Sequence, residues 1–82
     1  MRIAVDISLY PLDKDFIPPI KDVIERLNRH PDLEVVTNPM STQVRGDFDT
    51  VMHALHDEIR TTFEQLPKGV FAIKILNNPI EE

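Results

Sequence analysis

The apolar residues of this chain switch back and forth between two spacings, and the order of the switches leaves few folds open. Over residues 2–12, Ile3, Val5, Ile7 and Leu9 alternate with Ala4, Asp6, Ser8 and Tyr10. A period of two marks a half-buried strand. One face is aliphatic; the other carries a carboxylate, a hydroxyl and a phenol, and Pro11 is expected to stop the strand. Phe16 or Ile17, then Ile20, Val23, Ile24 and Leu27, recur at three and four residues, which predicts an amphipathic helix. Pro18 and Pro19 suit its first turn, Asp13 and Asp15 are candidate caps, and Asn28, His30 and Pro31 end it.

Period two then returns twice. Residues 33–37 form a β-branched run, and over 40–45 Met40, Thr42 and Val44 alternate with Ser41, Gln43 and Arg45. Asn38-Pro39 supplies the turn of a hairpin, Gly46 a tight exit, and Asp47 or Asp49 a cap for a second helix. Phe48, Val51, Met52, Leu55, Ile59, Phe63 and Leu66 make the stripe of that helix, which Pro67-Lys68-Gly69 breaks. A last strand over 70–76 places Phe71, Ile73 and Ile75 on one face, opposite Val70, Ala72, Lys74 and Leu76. The chain is expected to fray over 76–82.

The order strand, helix, strand, strand, helix, strand predicts an α+β, ferredoxin-like βαββαβ sandwich occupying residues 1–82 as a single domain. Its four-stranded antiparallel sheet carries both helices on one face, and the first strand is central, between the third and the fourth. The opposite face then presents Asp6, Ser8, Tyr10, Ser41, Gln43, Arg45, Ala72 and Lys74. An uncovered face of that size implies a partner, so a homodimer or homotetramer is expected.

A formal net charge of -5 argues against nucleic acid as the main partner. No apolar run reaches the ~18 residues of a membrane span, and no secretory leader precedes the first strand, so a cytoplasmic chain without a membrane partner is expected. There is no cysteine, which excludes a disulfide framework, a thiolate metal site and a thiol nucleophile. With only two glycines, far apart, there is no nucleophile elbow, phosphate loop or dinucleotide fingerprint, and no cofactor is implied. No nucleophile, base and orienting acid form a set, so no enzyme is expected.

Asp6 and Lys74 are placed on adjacent strands and the same face. They read either as a cross-strand ion pair or as an anchor for a cationic ligand. Ser8 and Tyr10 near the strand end either orient a small ligand or reflect strand propensity and a subunit contact. Met40 is either core filler or a thioether packed on a ligand ring. Thr42 falls on the face turned to the helices; it lines a pocket if one opens there, and otherwise bonds a nearby carbonyl. His53, His56 and Asp57 have helical spacing but lie off the apolar stripe, and only His30 remains as a further imidazole. A solvated helix face is the favoured reading over zinc and a metal-assisted hydrolase.

Taken together, Ser8-Leu9-Tyr10-Pro11-Leu12, the run from Asn38 through Pro39, Met40, Ser41 and Thr42 to Gly46-Asp47, and Ile73-Lys74-Ile75 resemble the YkoF-like, thiamine-binding small proteins. The resemblance extends over essentially the whole chain. It implies a ferredoxin-like fold, dimers or tetramers, no catalysis, and binding of thiamine or its hydroxymethylpyrimidine moiety by a carrier or sensor in vitamin supply. Ser8, Tyr10, Met40 and Thr42 match the motif positions and are the ligand-binding candidates it implies. Asp6 joins them on physical grounds, as a carboxylate able to receive an aminopyrimidine. Relatives often continue after I-K-I with an acidic and then a basic residue, whereas here Leu76, Asn77 and Asn78 follow.

Overall fold

A computed structural model describes residues 1–80. Its elements run β1 (Arg2–Pro11), α1 (Ile17–Asn28), β2 (Glu34–Thr37), β3 (Thr42–Asp47), α2 (Phe48–Gln65) and β4 (Gly69–Asn77). The sheet order is β2-β3-β1-β4 with every neighbouring pair antiparallel, so β1 is central and the ferredoxin-like sandwich is the fold. Register carries the alternation of β1 across the sheet: Val5 lies between Val44 and Ile75, and Ile7 between Thr42 and Ile73. Ile3, Val5, Ile7 and Leu9 face α1 and α2, and join Val23, Leu27, Val44, Val51 and Leu55 in one buried core.

The ends of the elements depart from the expected ones for local reasons. Pro11 is the last residue of β1, opposite Gly69, where strand pairing is ending anyway. Neither Asp13 nor Asp15 caps α1: the cap position is Phe16, without a side-chain bond, and the Asp13 carboxylate instead accepts from the Asp15 backbone N–H at 3.2 Å. Pro18 and Pro19 in the first turn remove N–H groups that a cap would have served. Asp47 does cap α2, accepting from the Asp49 N–H at 3.2 Å. Gly46 has no positive φ. What requires glycine there is a close approach: a Cβ would stand 3.3 Å from Leu33 Cδ2 and from Val51 Cγ2.

β3 begins at Thr42, so Met40 belongs to the hairpin tip and not to the strand. β4 extends through Leu76 and Asn77, which pair with Ala4 and Ile3, so the chain is still strand where fraying was expected. Residues 81 and 82 lie outside the described residues. The helices settle over β1, β2 and β3. They leave part of β4 open on the side they share: Ile73 and Ile75 are exposed although Phe71 beside them is partly buried, its ring 5.5 Å from Phe63.

A polar clamp joins the two helices. Arg26 of α1 is largely buried; its guanidinium donates to Asp22 Oδ2 at 3.0 Å, Glu58 Oε1 at 2.6 Å and the buried Thr62 Oγ1 at 2.6 Å. The other Glu58 oxygen meets His30 Nε2 at 2.7 Å. Sequence reasoning missed this set, although the spacing of Asp22 and Arg26 hinted at one of its bonds.

Candidate functional site

Two ladders of unequal length shape the site. β1 pairs with β4 as far as Pro11, but with β3 only as far as Ile7, opposite Thr42. From Ser8 onward β1 therefore has no strand paired on its β3 side among the described residues, and the hairpin tip carrying Asn38, Pro39, Met40 and Ser41 lies beyond the end of that ladder. The Leu12 N–H donates to the Lys68 carbonyl at 3.3 Å, on the β4 side. Backbone groups alternate along a strand, so Ser8 and Tyr10 share that direction while the N–H and C=O of Leu9 face the gap.

The gap opens into a cavity of about 470 Å³ between the sheet and α1, within the usual range for a small-molecule site. Ile7, Leu9 and Phe71 form its apolar floor, and Ile20, Val23, Ile24 and Leu27 of α1 form its roof. Leu12 and Phe16 stand on either side of the β1–α1 connection, and Pro39 and Met40 close the hairpin side. Ser8, Tyr10, Thr37, Asn38, Ser41 and Thr42 are its polar residues, and among the described residues no Asp, Glu, Lys, Arg or His lines it.

The hairpin tip is held in shape by its own bonds. The Asn38 side-chain carbonyl accepts from the N–H groups of Met40 at 2.8 Å and Ser41 at 3.0 Å, and the Asn38 N–H donates to the Ser41 carbonyl at 2.9 Å. Asn-Pro followed by Met-Ser thus makes an Asx-type turn. It fixes Met40 at the mouth, where the residue is 86% exposed. Core filler is therefore not its role. Thr42 is buried at 5% exposure on the helix side of the sheet, and its hydroxyl is 3.0 Å from that of Thr37. It lines the pocket, as one of its two expected readings required, and its partner is a hydroxyl rather than a carbonyl.

Of the five residues singled out as ligand-binding, the structure brings Ser8, Tyr10, Met40 and Thr42 to this one cavity and leaves Asp6 apart. Asp6 lies on the open face of the sheet, between Gln43 and Lys74, without a closed ion pair to Lys74 among the described residues. By alternation Ser8 and Tyr10 share the open face with Asp6, and they border the cavity at the end of β1, where Met40 and Thr42 line it as well. Leu12, Phe16, Thr37, Asn38 and Ser41 were not singled out. Leu12 and Phe16 were detectable as large apolar residues on either side of a charged connection. His53 and His56 are exposed on α2, with His56 Nδ1 3.4 Å from Asp57 Oδ1, and no three His or acidic side chains converge among the described residues. No described helix is long and apolar enough to cross a membrane.

The chain is 29% identical over 76 residues to UPF0045 protein MJ1052 of Methanocaldococcus jannaschii, covering 90% of this chain and 75% of that protein. The crystal structure of MJ1052 superposes with a TM-score of 0.83 at 26% identity, over 99% of this chain and 84% of that one. A Thermotoga maritima protein, TM0486, provisionally assigned to thiamine biosynthesis or salvage, has the same fold, with a TM-score of 0.73, 20% identity, and coverage of 95% and 85%. SP2199 of Streptococcus pneumoniae does too, with a TM-score of 0.78, 19% identity, and coverage of 98% and 90%. The sequence model of the thiamine-binding protein family matches residues 5–80, and the chain belongs to that family.

Proposed function

We propose that this protein binds thiamine or its hydroxymethylpyrimidine half in the cavity beside the end of β1, without turning it over, as a carrier or sensor in vitamin supply. One observation carries the reading: two motif stretches far apart in the chain, around Ser8–Leu12 and Asn38–Thr42, meet at a single cavity of about 470 Å³. The family description and the name given to the Thermotoga maritima relative agree with it.

The chemistry also fits. An aminopyrimidine offers an amino donor beside a ring-nitrogen acceptor, and the unpaired backbone N–H and C=O of Leu9 complement that edge. The Thr42 and Ser41 hydroxyls can take the exocyclic groups, and Phe16, Phe71 and the Met40 thioether can cover the ring faces. Hydroxyls and apolar contact suit retention, whereas turnover would ask for an acid–base pair within reach of the ligand.

Calorimetric titration and thermal shift with thiamine and with the pyrimidine alcohol test the proposal. Saturable heat and a rise in Tm are expected; no heat and no shift at millimolar ligand would overturn it. The same protein is expected to assemble as a homodimer or homotetramer. The reading as a pure assembly module is favoured by a separate observation: β4 exposes Ile73 and Ile75 on one side and Val70 and Leu76 on the other.

A further inference from the structure

We infer that the cavity selects the unphosphorylated form of its ring ligand and rejects the phosphate ester. This rests on the reading of the cavity as an aminopyrimidine site, and it specifies which chemical form enters. The starting observation is that, among the described residues, no cationic side chain lines the cavity. A phosphate drawn into such a cavity would lose its hydration with no Lys or Arg to replace it, which is costly for any charged group.

A helix N-terminus could have supplied the missing positive potential, because free N–H groups and the helix dipole together attract anions. α1 begins at the mouth, since Phe16 and Ile20 both line the cavity. Its first turn, however, holds Pro18 and Pro19, which have no N–H to offer. The prolines therefore remove two of the N–H donors that this end of α1 could have offered a phosphate. The connection between Leu12 and Phe16 adds Asp13, Lys14 and Asp15, all exposed, for a local excess of one negative charge. An anion meets repulsion at the rim and finds no donor cluster inside.

The experiment is a pair of calorimetric titrations of the wild-type protein, one with the hydroxymethylpyrimidine alcohol and one with its monophosphate. Saturable binding of the alcohol is expected, with the monophosphate weaker by about tenfold or more. Equal affinities would overturn the inference and leave the site itself standing. Binding of neither compound would remove the aminopyrimidine reading, and this inference with it.

Two variants test the cause. Asp15→Lys reverses a rim charge outside the lining, and Pro18→Ala with Pro19→Ala restores two N–H groups. Each should narrow the gap between ester and alcohol several-fold, mainly by strengthening ester binding. A gap unmoved in both variants would overturn the electrostatic explanation.

Discussion

Thr42→Val keeps the branched shape of the side chain and removes only the hydroxyl that Thr42 shares with Thr37. Thr37 is exposed, so water can replace the lost partner, and the folded state should lose no more than about 1 kcal/mol. Ligand affinity should fall several-fold to about tenfold, the usual worth of one neutral hydrogen bond. Asp6→Asn is the control, because Asp6 is not part of the cavity wall. Calorimetry should find its affinity unchanged; a drop as large as that of Thr42→Val would move the site to the open face of the sheet. The contrast also explains what was legible at this scale. Alternation placed Thr42 on the helix side and Asp6 on the other, and did so correctly. It could not indicate that the cavity opens on the helix side, because that depends on the β1–β3 ladder stopping at Ile7. Ladder length is a tertiary property that a single strand does not encode.

The two helices were legible as stripes, but the contact between them was not. A stripe shows which side of a helix is buried, not which residue of the neighbouring helix will oppose it. Arg26 sits at the edge of its stripe and reaches across to Glu58 and Thr62, with only 11% of its side chain exposed. Removing one partner of such a pair leaves the other charge buried, at a cost of about 3–5 kcal/mol. Arg26→Ala should accordingly lower Tm by on the order of 15 °C in a domain of this size. Replacing Arg26 and Glu58 together by Leu should recover much of that loss, since the groups left without those partners, Asp22 and His30, both reach solvent. Thermal melts of the single and double variants decide it: a double variant no more stable than Arg26→Ala would mean that the clamp carries the packing of α1 on α2 by itself. Because Val23 and Leu27 of α1 both line the cavity and belong to the core, the same clamp also steadies the cavity roof. Ligand affinity in the double variant should follow the recovery in Tm.

Across the whole molecule, the order of the strands was legible while the coverage of the sheet was not. Ile73 and Ile75 alternate as core residues should, yet they are 36% and 51% exposed. Strand pattern assigns a face, and whether a helix lies over that part of the face depends on where α2 crosses. The result is an edge strand of nine residues, GVFAIKILN, whose one charge is Lys74 and whose two faces both expose aliphatic side chains. Edge strands of stable monomers are ordinarily short, charged or covered, because a long apolar edge invites another chain to pair with it. β2 at the opposite edge follows that rule, with four residues led by Glu34. β4 does not, which is the physical reason to expect its cover to come from a second copy. Light scattering should then find a mass of two or more protomers for the wild-type chain. Ile75→Lys places a charge in that seam at a position already half exposed, so it should shift the mass toward one protomer while the helical circular dichroism is retained. A wild-type protein that scatters as a monomer at high concentration would refute the expected assembly. An Ile75→Lys variant that stays assembled would instead move the contact to the open face, where Ala4, Asp6 and Gln43 lie.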